Sequence, residues 1–154
     1  MRNSLDKSLK NLLVVLMAIM VVSTLLQVFA RFVSWNIPFT EELTIYAMMW
    51  VTLFGSALAF GTGKHIAIDL LGSSLPPEKK WKLSLISESI VILFAVTVLL
   101  IGGARFVYIS FKLGQISSVM QISKGWVYLA IPISGLITIL YNVLNIQQIL
   151  TERK

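Results

Sequence analysis

The chain of 154 residues contains no cysteine, a single histidine and few charged residues. Without cysteine it can form no disulfide, offers no thiol nucleophile and cannot hold a metal through thiolates. Its one histidine, His65, excludes bis-histidine haem ligation and is too little for a metal site. No nucleotide-binding loop, nucleophile constellation or catalytic carboxylate pair is present. We therefore predict no cofactor, no metal and no enzymatic activity.

Apolar residues are abundant instead, making up 56% of the chain. Only 13% of the residues are charged, against roughly a quarter in soluble domains, and the mean hydropathy is +0.84. Four apolar runs are each long enough to cross a hydrocarbon core of about 30 Å. They cover residues 12–30, 43–63, 85–111 and 126–150. The predicted fold is an all-α membrane protein with one membrane domain, residues 1–154, and four transmembrane helices.

The loop between the second and third runs carries a further helical signal. Residues 78–85 follow two prolines and read as a short, basic amphipathic helix at the inner membrane surface. Four residues apart in the same loop, His65 and Asp69 would share a helix face and brace the loop.

The basic residues are distributed unevenly between the two sides of the predicted membrane. Nine of the 13 Lys and Arg residues precede the first run, lie between the second and third, or follow the fourth. The other side has only Arg31, Lys112 and Lys124, and Arg105 lies within the third run. By the positive-inside rule, both termini are predicted to be cytoplasmic. The net charge of +6 is therefore explained by basic residues that flank the membrane and contact its lipid, and not by binding to nucleic acid.

Three of the four runs carry a polar or small-residue stripe at helical spacing. The members are Ser23, Gln27 and Arg31 in the first run, Gly55, Ala59 and Gly63 in the second, and Ser134, Thr138, Tyr141, Asn145 and Gln148 in the fourth. Lipid cannot satisfy polar groups, and small residues let another helix approach closely. Four helices could bury any one stripe among themselves, but three stripes in so small a protein favour a larger membrane partner.

Two ionisable residues in the third run are functional candidates, because charge within a membrane span is costly. Glu88 lies near the inner end of the run, and Arg105 lies towards its outer end. Seventeen residues of helix separate them by about 25 Å, so they cannot pair with each other. Glu88 could pair with a basic residue of the preceding loop, and Arg105 could reach outer headgroups or a partner protein.

The second run opens with a proline followed by two acidic residues. Thr40 can cap this helix, and Glu41 and Glu42 suit its positive N-terminal end or can pair with Arg31. We predict an outer polar cluster of Arg31, Glu41 and Glu42. As adjacent residues, the two glutamates point in different directions and do not resemble an acid/base pair.

Several short motifs follow one another along the chain. They are Arg31-Phe32, Pro38-Phe39-Thr40-Glu41-Glu42-Leu43, Trp50, Phe54-Gly55-Ser56-Ala57, His65-Ile66-Ala67-Ile68-Asp69, and Gly125-Trp126-Val127-Tyr128-Leu129-Ala130-Ile131-Pro132. In this order they resemble the small membrane subunit, the Q subunit, of TRAP (tripartite ATP-independent periplasmic) transporters. The length and the four spans match as well. Before His65, however, the family often has more basic residues than Gly61-Thr62-Gly63-Lys64.

The resemblance implies a three-part, sodium-coupled importer of a carboxylate solute such as a C4-dicarboxylate, a sugar acid or sialic acid. A periplasmic substrate-binding protein would deliver the solute to a large multi-span membrane subunit. The present chain would sit in the bacterial inner membrane and steady the scaffold of that subunit. An alternative is a self-sufficient small homo-oligomeric transporter or channel, with Glu88 as its coupling carboxylate.

Overall fold

Helices account for most of the protein in the computed structural model, which describes residues 2–61 and 77–151. The helices are α1 (Arg2–Phe32), α2 (Pro38–Gly61), α3 (Pro77–Phe94), α4 (Gly103–Lys112), α5 (Lys124–Tyr128) and α6 (Ala130–Thr151). Between α3 and α4, Ala95–Gly102 form a π-helical segment of 8 residues.

Within the described residues, four helical stretches are long and apolar enough to cross a membrane. They are Ser4–Phe32, Pro38–Gly61, Trp81–Lys112 and Lys124–Thr151. The described residues form no strand apart from one isolated bridge in a loop. The predicted all-α class with four transmembrane helices is therefore confirmed. Each helical stretch extends beyond its apolar run at one end or both, because helices continue into flanking polar residues that hydropathy alone excludes.

The residues predicted as a separate amphipathic helix take a different form. Residues 78–85 lie within α3, which begins at Pro77 and continues through the π-helical segment into α4. Pro77 thus marks the beginning of the helix that contains the third span, since proline is favoured in the first turn of a helix.

The turn between α1 and α2 is defined by backbone hydrogen bonds. The Trp35 N–H donates a hydrogen bond to the Ala30 carbonyl at 2.8 Å, and Ser34 adopts a left-handed backbone conformation with φ of 53°. The predicted cap at Thr40 is wrong, because α2 already begins at Pro38. The Thr40 hydroxyl instead donates back to the Ile37 carbonyl over 2.8 Å and lies buried.

The chain forms two compact units, of which the first combines Met1–Gly55 with Arg105–Ala130. Inside this unit, Gln27 donates to the Thr44 hydroxyl at 3.1 Å and joins α1 to α2. The Trp50 indole N–H donates to the Val127 carbonyl at 3.0 Å and joins α2 to α5. Polar side chains therefore connect the helices where lipid would leave them unsatisfied.

The second unit combines Ser56–Ala104 with Ile131–Lys154. Its helices approach closely at glycines. A Cβ placed on Gly135 of α6 would lie 2.8 Å from the Leu99 Cβ of the π-helical segment. Likewise, a Cβ on Gly61 would lie 2.7 Å from the Tyr141 ring. These contacts require the absence of a side chain, as is usual where transmembrane helices pack closely.

Candidate functional site

A carboxylate near the beginning of α2 holds the loop between α4 and α5. The Glu42 Oε2 accepts hydrogen bonds from the Met120 N–H at 2.9 Å, the Val119 N–H at 3.3 Å and the Ser117 hydroxyl. Its Oε1 accepts from the Tyr46 hydroxyl at 2.9 Å. All four groups donate, so the site is complementary to the ionised carboxylate.

The loop held by Glu42, residues 113–123, has an ordered backbone of its own. The Ser117 N–H donates to the Ile122 carbonyl at 2.8 Å, and the Lys124 N–H donates to the Gln115 carbonyl at 2.9 Å. Gly114, with φ of 58°, ends α4 in the left-handed conformation that glycine adopts without strain. We call residues 113–123 together with Glu42 the clamped loop.

Apolar side chains project from the clamped loop. Leu113 is 66% exposed, Ile116 is 55% exposed, and Val119 and Ile122 are also exposed. Since the loop backbone is fixed by its own hydrogen bonds and by Glu42, these side chains form a defined surface.

Arg31, Glu41 and Glu42, predicted as one polar cluster, are not brought together. Arg31 and Glu41 are both exposed, and within the described ranges no ion pair joins Arg31 to either glutamate. Glu42 alone enters a network, and three of its four partners come from a loop 75 to 78 residues further along the chain.

We expect Glu42→Gln to loosen the clamped loop without unfolding the helices. The amide retains one oxygen but loses the charge, so the hydrogen bonds from Ser117 and Met120 weaken. Hydrogen exchange of the Val119 and Met120 amides should become about tenfold faster or more. The matched control is Glu41→Gln, one position away and exposed. Equal exchange in the two variants would show that Glu42 does not hold the loop.

The polar stripe of α6 is buried within the protein. Ser134, Thr138, Tyr141 and Asn145 are all at most 6% exposed, whereas Gln148 is exposed. The Asn145 amide donates to the Phe60 carbonyl at 3.1 Å and to the Glu88 Oε1 at 3.2 Å. This stripe therefore does face protein, as expected, but the protein it faces is its own chain.

Asn142, which is not among the predicted members, belongs to the same buried stripe. It is fully buried, and its amide donates to the Thr138 carbonyl at 2.7 Å. Its place three residues before Asn145 and four after Thr138 puts it on their helix face, so the spacing could have identified it. Ser117, in contrast, carries no sequence signal that would link it to Glu42.

The small-residue stripe of α2 remains at the protein surface. Ala59 is exposed, and a Cβ added to Gly55 would meet no atom of the described residues within 4 Å. Thr52 and Ser56, on the same face, are also exposed. We call Thr52, Gly55, Ser56 and Ala59 the α2 ridge. The third member of the predicted stripe, Gly63, lies outside the described residues, as do His65 and Asp69.

The remaining predicted residues lie on α1 and α4. Ser23 is buried and Gln27 is bonded to Thr44, so the stripe of α1 is largely satisfied within its own unit. Arg105 is exposed on α4.

Comparison with known proteins gives consistent matches. The model of the family described as tripartite ATP-independent periplasmic transporters, DctQ component, matches residues 20–152. A Haemophilus influenzae protein assigned as a TRAP transporter small permease protein is 25% identical over 134 residues, covering 86% of this chain and 81% of that protein. The C4-dicarboxylate TRAP transporter small permease protein DctQ of Rhodobacter capsulatus is 31% identical over 100 residues. That match covers 65% of this chain and 44% of the Rhodobacter protein, less than half of its length.

Proposed function

The chain belongs to the DctQ-component family of tripartite ATP-independent periplasmic (TRAP) transporters, and from this premise we propose that it packs against the large transport subunit and stabilises its scaffold. As a small TRAP permease subunit, it is a multi-pass protein of the bacterial inner membrane and a transport component, not an enzyme. The complex would import a carboxylate solute together with sodium. The name of the Rhodobacter relative specifies C4-dicarboxylates, and sugar acids or sialic acid are the other candidates.

The observation that carries this proposal is the α2 ridge. The ridge lies at the surface of the described residues, since none of their atoms lies within 4 Å of a Cβ added to Gly55 and Ala59 is exposed. Small residues on a transmembrane helix surface allow a second helix to approach closely, whereas contact with lipid requires no such ridge. The α2 ridge therefore fits a helix of the large subunit.

The polar stripes support the same choice by elimination. Asn145 is bonded within its own unit, and so is Gln27. They therefore require no partner. The three stripes are thus unequal, and the α2 ridge is the one that presents small, exposed residues at helical spacing on the surface.

The clamped loop is the second proposed contact, with the periplasmic substrate-binding protein. The excess of Lys and Arg on the other side supports cytoplasmic termini and a periplasmic position for this loop. Its ordered backbone and exposed Leu113 and Ile116 suit the docking of a soluble partner, since a preorganised surface loses little entropy on binding.

The proposed packing is tested by co-purification with the large subunit. Ala59→Leu and Gly55→Leu fill the α2 ridge and should lower the amount of co-purified large subunit roughly tenfold. Ala18→Leu is the matched control, because Ala18 is also an exposed alanine in a membrane span, on α1. The isolated variants should be at least as stable to thermal unfolding as the unmodified chain, since no described atom lies close to a Cβ at Gly55 and Ala59 is exposed.

Two outcomes would overturn the proposal. Full recovery of the large subunit with both ridge variants would exclude the α2 ridge as the interface. Sodium-dependent uptake by liposomes containing the chain alone, abolished by Glu88→Gln, would instead support a self-sufficient transporter. Sodium coupling itself is measured as solute uptake by the whole complex with and without an imposed sodium gradient.

A further inference from the structure

Arg105 places a positive charge on the exposed face of the helix that forms the third span. On α4, the residues turned inward are Gly103, Val107 and Ser110, and Arg105 lies away from them and is exposed. Within residues 2–61 and 77–151, its guanidinium forms no hydrogen bond and no ion pair. An arginine has five N–H donors and always carries its charge, so acceptors must come from outside this part of the chain.

The depth of Arg105 follows from the aromatic residues at the end of the helix. Phe111 and Trp126 contact each other edge to face, with ring centroids 5.6 Å apart, and Trp126 is 64% exposed. Such aromatic residues, followed here by Lys112, mark a membrane–water boundary. Arg105 precedes Phe111 by six residues, which places it about 9 Å deeper along the helix.

The direction of the helix disfavours contact between Arg105 and lipid headgroups at that boundary. Each Cα–Cβ bond of an α-helix points towards the N-terminus. The N-terminal end of α4 is its deeper end, so the Arg105 side chain leaves the backbone towards the membrane interior. To reach the phosphates, the side chain would have to turn back along its own helix and also cover about 9 Å.

We propose that Arg105 forms an ion pair with an aspartate or glutamate in a transmembrane helix of the large subunit, about two helical turns inside the membrane boundary. The inference rests on the proposed function, because it requires a partner in the membrane. A carboxylate is the acceptor that matches the planar fork of a guanidinium with two parallel hydrogen bonds. Among hydrocarbon chains an unpaired charge is costly, so the arginine and the carboxylate stabilise each other.

The test compares two basic residues on the same face of α4. Arg105→Gln should reduce co-purification of the large subunit about tenfold or more, and Arg105→Lys should restore part of it. Lys112→Gln also removes one positive charge, but about 10 Å further along the helix, at the membrane boundary. It should have little effect on co-purification. Replacing membrane acidic residues of the large subunit one at a time by Arg should identify one that restores binding to Arg105→Glu.

The outcomes separate this inference from the proposed function. If the unmodified chain fails to co-purify with the large subunit, the proposed function is wrong. If the unmodified chain and Arg105→Gln recover equal amounts, only the ion pair is wrong. Native mass spectrometry of the isolated chain with phosphatidylglycerol or phosphatidylethanolamine covers the lipid alternative. Loss of bound phospholipid in Arg105→Gln, with the large subunit retained, would assign the arginine to a phosphate and overturn the proposal.

Discussion

Asn145→Ala is expected to lower the free energy of unfolding by about 2 kcal/mol or more. The single amide donates to two acceptors, the Phe60 carbonyl and the Glu88 carboxylate, and the substitution removes both bonds. A buried acceptor left without its donor costs about 1–3 kcal/mol. Double-mutant cycles for single hydrogen bonds between membrane helices average less, about 0.6 kcal/mol. Here one substitution removes two bonds and leaves two acceptors, one of them a carboxylate, without that donor. Thermal unfolding in detergent measures the effect.

A control for Asn145→Ala is available two residues away. Gln147 is also an amide side chain on α6 but is exposed, so Gln147→Ala should leave the unfolding temperature nearly unchanged. Asn145→Asp retains the shape of the side chain but has no N–H₂ donor and places a second carboxyl group beside Glu88. It should be at least as destabilising as the alanine variant. Unaltered stability in Asn145→Ala would mean that the buried network does not hold α2, α3 and α6 together.

Gly135→Ala is the second change expected to have a large effect, because it forces two backbones apart. The added Cβ would lie 2.8 Å from the Leu99 Cβ and 3.2 Å from the Leu100 backbone nitrogen. Backbone cannot rotate away as a flexible side chain can, so the π-helical segment itself must shift. Overpacking of this kind costs about 1–3 kcal/mol. The measurement is again thermal unfolding in detergent.

The same substitution at Gly55 should act in the opposite direction. Among residues 2–61 and 77–151, no atom lies within 4 Å of a Cβ at that position, so Gly55→Ala gains the helix propensity of alanine, about 0.5–1 kcal/mol. The two variants differ only in what surrounds the added methyl group. If Gly135→Ala were as stable as Gly55→Ala, the close approach of α6 to the π-helical segment would be wrong.

The four spans could be predicted from the sequence because the bilayer imposes a simple length and apolarity requirement. Residues such as Trp81 and Lys124 at the span ends were missed, since a helix continues past the hydrocarbon into its polar flanks. The π-helical segment was not predicted either. Its residues are as apolar as those around them, and the close contact with Gly135 becomes visible only in three dimensions.

The stripes show where helical periodicity stops being informative. Spacing places Thr138, Asn145 and their neighbours on one face of α6, but it does not reveal which molecule covers that face. A hydroxyl side chain is a particularly weak indicator that a helix face contacts protein. Exposed Thr24 and Thr97 each donate to the carbonyl four residues earlier, at 2.8 and 2.7 Å, and so need no partner in lipid.

The role of Glu42 was beyond sequence reasoning for a different reason. Helix-dipole arguments treat the first turn of α2 by itself and make Glu41 and Glu42 nearly equivalent. Their environments differ because the 113–123 loop, distant in the chain, lies against Glu42. Contacts between segments so far apart depend on the packing of the whole unit, and one sequence contains no record of them.

The unequal burial of the spans implies unequal tolerance to substitution. In their most apolar windows, the first span is 6% buried within the protein, against 44% for the fourth. Most positions of α1 therefore need only an apolar residue, and substitutions among apolar residues there should have little effect on folding. The family model begins at residue 20, part of the way along α1, and continues to residue 152. The buried contacts that distinguish this fold from any other set of four apolar helices are thus made mainly by its last helix.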